Sequence, residues 1–166
     1  MSSFSTEIRE WNNPFLGTYL LWRFTQGYES AGEKESPQFL FHFVVLPILE
    51  SPELSAPING HRKSFASYVK SFSTNGKLDV LAKLNEKVIV LREQALLALD
   101  IGFASNLFAW NDDKTRIHAL RHDDSFALLA LADPIIKLGI KAFRFGTWTS
   151  SISLSVFSEF LGVELT

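Results

Sequence analysis

Cysteine is missing from all 166 positions, and with it go disulfides, thiol nucleophiles and sulfur-ligated zinc. A chain without thiols sits most easily in a reducing cytosol, so a cytoplasmic protein is expected. No window reaches 18 uninterrupted apolar residues, which leaves no segment to read as a membrane span. The first residues, MSSFSTEIRE, lack the basic start and apolar centre of a secretory leader. A soluble, unprocessed chain with no membrane partner is the expectation. Charge of one sign is scarce too: 16 basic against 18 acidic side chains give a formal net charge of −2, which is no footprint for a polyanion.

Catalytic signatures are equally scarce. The pair in TNGKLD lacks both the earlier glycine and the following hydroxyl of a phosphate loop, and no GxGxxG, GxSxG or HExxH occurs. His118, His122, Asp123 and Asp124 fall close together in RIHALRHDD and could offer nitrogen and oxygen to a metal. The competing reading is stronger: His118 belongs to a strand, and the two aspartates are wanted as helix caps. His42, inside an apolar run, reads as a hydrogen-bonded core histidine. No catalytic residue, cofactor or metal is expected.

What the chain has in quantity is aromatic surface. Fifteen phenylalanines and four tryptophans help bring aromatics to 13% and hydrophobic residues to 46%. Such a chain buries a dense core, or has part of its surface covered by a partner. The stretch EWNNPFLGTYLLWRFTQGY raises the same choice. Asn13 and Pro14 make a good helix start, but Phe15, Tyr19 and Trp22, then Leu16, Leu20 and Arg23, then Leu21, Phe24 and Tyr28 carry apolar groups nearly all the way round. A helix of that kind is buried on every side, by its own chain or by another.

Further along, Glu29–Ser36 reads as a polar loop. Ser36 and Pro37 repeat the cap-plus-proline pattern before QFLFHFVVLPILES, read as a helix that Pro47 kinks or ends. Pro52–Gly60 is rich in turn residues, and His61–Phe72 has the spacing of an amphipathic helix closed by STNG. From Lys77 to Phe103 apolar residues keep helical spacing, but Val88, Ile89 and Val90 weaken propensity locally. One long helix and two helices joined by a tight turn both fit. Leu107–Trp110 and Thr115–Leu120, separated by NDDK, read as a β-hairpin. A helix capped by Asp123 or Asp124 follows from Ser125 to about Phe145, bent or divided at Pro134, and a short amphipathic helix stops at Gly162. The expected core includes Leu81, Leu84, Val88, Leu96, Leu99, Leu128 and Leu131.

The expected class is therefore mainly α with a small β-hairpin, a winged-helix-like helical domain spanning 1–166. It has a helical N-terminal part, a winged-helix-like centre at about 61–120 and C-terminal helices at about 123–162. In that order Lys77–Lys87 would support, Leu91–Ile101 would take the recognition position, and Leu107–Leu120 would be the wing. A winged-helix DNA-binding regulator is the alternative function. Against it, LREQALLALDI has one arginine beside Glu93 and Asp100, so its surface is apolar and slightly acidic where phosphate needs a basic face. The basic stripe of Lys137, Lys141 and Arg144 lies near a helix C-terminus, where the helix dipole accounts for it.

The succession WNNPFLGTYLLWRFTQGY, FLFHFVVLPILES, LREQALLALDIGF with a hairpin after it, and FSEFLGVEL resembles the middle component of bacterial three-component ABC systems, from about Trp11 to the C-terminus. The specificity lies in the order and spacing of these segments. The resemblance implies a non-enzymatic adaptor subunit bridging an SMC/Rad50-like ABC ATPase and a third component, in anti-phage or anti-invader defence. DNA would be reached only through the complex. The family brings no catalytic residues with it. The far side of the first helix would then face the ATPase or a second copy of the chain (a homodimer). The partner-binding residues expected are Arg9, Trp11, Phe15, Tyr19 and Trp22, because Trp, Tyr and Arg most often dominate interfaces.

Overall fold

The computed structural model describes residues 13–31, 35–62, 64–120 and 132–165. The described residues are 69% helical, with eight helices among them and a two-stranded antiparallel hairpin. Helix α1, Pro14–Ala31, begins as its sequence predicts: the Asn13 side-chain carbonyl accepts the Phe15 N–H at 3.0 Å, and Pro14 takes a first-turn position where no N–H is needed.

Twelve of the eighteen residues of α1 are buried, from Leu16 to Tyr28, and the chain itself supplies the cover. The closest neighbour is α7, Asp133–Thr149, which runs parallel to α1. Backbones meet where side chains are missing: a Cβ on Gly27 would stand 2.0 Å from the Phe143 carbonyl oxygen, and one on Gly146 would stand 2.2 Å from that of Phe24. On another side lies α6, Leu84–Ala104, to which the Thr18 hydroxyl donates a buried 2.7 Å bond at the Ala98 carbonyl. The third neighbour is α2, His42–Glu50, whose His42 meets Phe24 edge-on and Thr25 through a hydrogen bond. A helix with neighbours on three sides needs apolar residues all round.

Residues before α2 depart from the sequence reading. Ser36 and Pro37 do not cap it; a 3₁₀ turn at Phe39–Phe41 leads into the helix. The segment instead borders the hairpin. Ile117 N–H donates to the Pro37 carbonyl and Phe39 N–H to the Thr115 carbonyl, each at 3.0 Å, with Gln38 bridged to Arg116. Proline has no N–H to give, and an edge position asks it only for its carbonyl. Pro47 lies inside α2, where its ring removes one intrahelical bond while the surrounding core holds the helix: every residue from His42 to Leu49 is buried.

The turn-rich stretch holds a single-turn helix α3, Pro52–Ser55. Helix α4, Phe65–Thr74, starts later than expected, because the Ser64 hydroxyl caps it by accepting the Ser67 N–H. A short α5, Leu78–Ala82, precedes α6. No break occurs at Val88–Val90: α6 is one helix of 21 residues, and the junction falls earlier, at Lys83. Three β-branched residues cost some tenths of a kcal/mol each, roughly, and the burial of Val88 offsets this. The supporting helix expected at Lys77–Lys87 is thus divided at Lys83, and Leu91–Ile101 is part of the longer α6. The order α4, α5, α6, hairpin remains compatible with a winged-helix-like arrangement.

Strands β1, Phe108–Trp110, and β2, Ile117–Ala119, pair antiparallel with Phe108 opposite Ala119. The turn is built by Asn111, whose side-chain oxygen accepts the N–H groups of Thr115 and Arg116 at 2.9 Å. The aromatic side of β1 is covered at one end only: Phe103 of α6 lies against the buried Phe108 and stacks on Trp110 with centroids 5.1 Å apart, while Trp110 stays 40% exposed. Pro134 falls in the first turn of α7, and that helix runs on to Thr149. Asp123, Asp124 and the stretch from Ser125 to Leu131 lie outside the described residues. Helix α8, Leu154–Leu161, is capped by Ser153 and ends at Gly162 in the left-handed conformation.

The buried apolar side chains form one cluster, with Phe65 and Tyr68 of α4 meeting Phe145 and Trp148 of α7 and Phe157 of α8, and Phe72 edge-on to Tyr68. Of the expected core, Leu81, Leu84, Val88 and Leu99 are in it. Leu96 is not: it is 44% exposed, because α6 turns Ala95, Ala98 and Leu99 inward and leaves Leu96 on the far side. Leu128 and Leu131 lie outside the described residues. No described helix is long and apolar enough to cross a membrane.

Candidate functional site

Of the residues expected to meet a partner, Arg9 and Trp11 lie outside the described residues. Tyr19 and Trp22 are covered by the chain's own fold at 8% and 4% exposure, while Phe15 stands open at 64%. Tyr19 presses its ring against Gly139 of α7, where an added Cβ would come within 2.4 Å of the hydroxyl. Burial raises the pKa of that phenol, with Arg23 opposing. The described part of α1 therefore offers one open aromatic, not a face.

Of the polar side chains that looked like chemistry, His42 and His118 serve the fold. His42 is fully buried, with Nδ1 3.1 Å from the Phe39 carbonyl and Nε2 2.9 Å from the Thr25 hydroxyl. Burial lowers its pKa to about 4, with backbone hydrogen bonds opposing. A neutral ring that donates through Nδ1 to the Phe39 carbonyl leaves Nε2 as an acceptor, and the Thr25 hydroxyl beside it shares its one proton between Nε2 and the Leu21 carbonyl at 2.8 Å. His118 is joined through Nδ1 to the buried Ser36 hydroxyl, which fastens the segment before α2 to the hairpin. His122, Asp123 and Asp124 lie outside the described residues, and among the described residues no group of three or more metal-ligating side chains occurs. Lys141 of the basic stripe donates to the Ser55 carbonyl at 2.7 Å, tying α7 to α3.

Among the described residues, four exposed large apolar side chains gather on α6. Its inner face, Leu84, Val88, Ala95, Ala98, Leu99 and Gly102, is buried. On the outer face Ile89, Val90, Leu96 and Leu97 are 66%, 77%, 44% and 51% exposed. At 100° per residue these fall into two rows, Ile89 with Leu96 and Val90 with Leu97, each at seven-residue spacing. Between the rows run the exposed acids Glu86, Glu93 and Asp100, again seven apart, which places them about 10 Å from one another along the axis.

Open grooves flank this ridge. One lies toward the end of α2, lined by Pro47, Glu50, Ser51, Glu86, Lys87 and Val90 among others. Burial raises the pKa of Glu50, with a Gln94 hydrogen bond and the Lys87 charge opposing. The other groove lies toward the C-terminus, with Leu40, Phe43, Ile89, Arg92 and Glu164 in its wall. There the Arg92 guanidinium sits 5.1 Å over the Phe43 ring, drawn off the ridge. The physical character is an apolar helix face with acid at its centre. It suits another protein surface, and it repels phosphate.

The signal for this face was present in the sequence as an apolar and slightly acidic surface at the recognition position. Which rows point outward required the packing of α6 on α1 and α2. No curated protein and no solved structure was found to match the chain. A family model described as ABC-three component (ABC-3C) system Middle Component 3 matches residues 1–165. With nearly its whole length matched, the chain belongs to the Middle Component 3 family of ABC-three component systems.

Proposed function

We propose that this chain is a non-enzymatic adaptor subunit of its ABC-three component system, bridging an SMC/Rad50-like ATPase and a third component in the cytoplasm, in defence against phages and other invading DNA. The observation that carries the reading is the outer face of α6. A chain that buries Tyr19, Trp22, Tyr28, Tyr68 and Trp148 nevertheless leaves Ile89, Val90, Leu96 and Leu97 open on one helix, and apolar surface collected in this way marks a protein interface. Membership in a multi-component system supplies partners for it. The winged-helix regulator gains no support from this helix, since Glu86, Glu93 and Asp100 stand where DNA phosphates would approach.

Co-expression of the three components of the system, with and without this chain, tests the bridge. The expected result is that the ATPase and the third component co-purify only when the chain is present. Co-purification of those two in its absence would overturn the bridging role.

A further inference from the structure

We infer that the outer face of α6 docks a helix of a partner protein whose contact stripe carries lysine or arginine at seven-residue spacing between apolar residues. This rests on the adaptor reading and names the chemistry of what the adaptor holds. Two alternatives compete for the same apolar rows: a second copy of this chain, and a basic amphipathic helix from elsewhere.

Charge decides between them. Glu86, Glu93 and Asp100 occupy the middle of the face, with Ile89 and Leu96 on one side and Val90 and Leu97 on the other. Two α6 helices laid face to face would bring one acid row onto another. Because the three acids are evenly spaced, sliding one copy by a heptad or reversing its direction still sets acid against acid. Like charges across a helix interface work against pairing, whereas opposite charges fix partner and register.

Of the three basic side chains on or capping α6, two are drawn away from the acid row, and Lys83 stands before its first residue at one end. Arg92 is held over Phe43, and Lys87 lies in the groove beside Glu50 and Glu86. That groove adds one further carboxylate, Glu50, on the Val90 flank, beside Glu86 of the row itself. Lysine and arginine stems can cover the apolar rows while their heads reach the acids. A helix with a basic row flanked by Leu or Ile therefore satisfies both features of the face at once, which neither a purely apolar helix nor a second copy does.

The test uses the full chain, its Glu93→Gln and Glu93→Lys variants, and the ATPase and third component of the system. Affinity is measured for whichever component the wild type retains. Glu93 is exposed, so all three forms should melt together, and light scattering should give a monomer for the wild type alone. Binding should weaken about threefold in Glu93→Gln and roughly tenfold or more in Glu93→Lys. The gap between variants should close at about 0.5 M salt, where screening shortens the reach of a charge to roughly 4 Å. Glu93→Lys binding as tightly as the wild type, or more tightly, overturns the inference while the adaptor reading stands. So does a wild-type dimer that Glu93→Lys leaves intact. If the wild type retains neither component, the adaptor reading itself fails, and the inference falls with it.

Discussion

Acidification should unfold this protein partly through one side chain. His42 is fully buried among Phe24, Thr25, Phe39 and Phe108, and burial lowers its pKa to about 4 from an unfolded value of about 6.5. Between those two values the unfolded chain binds a proton that the folded chain refuses, so stability rises with pH across that window and is lost as pH falls through it. Going from pH 7 to pH 5 should cost about 2 kcal/mol through His42 alone, and the full loss below pH 4 approaches about 3 kcal/mol. Urea unfolding at both pH values, for the wild type and for His42→Gln, measures it. Glutamine keeps a neutral amide near the Phe39 carbonyl, and the two proteins share every carboxylate, so the difference of differences isolates the imidazole. His42→Gln should be less stable at pH 7 yet lose about 2 kcal/mol less on acidification. Equal losses in the two proteins would refute the buried neutral histidine.

Other outcomes follow from packing. Leu99→Ala should cost about 2 to 5 kcal/mol, whereas Leu96→Ala, three residues earlier on the open face, should cost less than about 1 kcal/mol; denaturant midpoints with unchanged slopes would establish the contrast. Gly146→Ala should destabilise by about 1 to 3 kcal/mol or more, since the added methyl meets the Phe24 carbonyl oxygen at 2.2 Å and α1 and α7 must separate; thermal unfolding reads this directly. Tyr68→Phe should cost about 1 to 3 kcal/mol, because the Tyr68 hydroxyl donates to the buried Leu54 carbonyl at 2.7 Å; an unaltered melting curve would show that water replaces it.

Elements whose ends are set by local chemistry are legible in the amino-acid sequence itself. Asn13 with Pro14, the NDDK turn, and Gly162 each satisfy or release backbone groups within a few residues, so α1, the hairpin and the end of α8 fall where the sequence places them. Ser36 and Pro37 have the same local look, but their partners are His118 and Ile117, some 80 residues away, and no local rule finds those. Val88–Val90 leaves a choice that only packing resolves: Val88 is inward and its two neighbours outward, on one unbroken helix.

The candidate face is half visible in the sequence. The apolar excess and the unusual helix α1 are plain there, and they point to a partner on α1. Its Tyr19 and Trp22 are instead covered from within. The signal for that cover is the small-residue spacing of Gly139 and Gly146 in α7, which allows a second backbone to come close. The heptad spacing of Ile89 with Leu96 and Val90 with Leu97 is there to be read as well. An apolar residue on a helix reads as core until the inner face is known, and Leu96 reads as core for that reason.

If the outer face of α6 holds the partners, paired substitutions in its apolar rows must loosen them. Val90→Gln with Leu97→Gln should change the melting temperature little, because both positions are open and glutamine is a good helix former, and should weaken association with the co-expressed ATPase or third component by roughly a hundredfold. Phe15→Asp, on the open end of α1, should leave that association intact. Wild-type affinity in the Val90/Leu97 variant, together with lost binding in Phe15→Asp, would return the interface to the first helix.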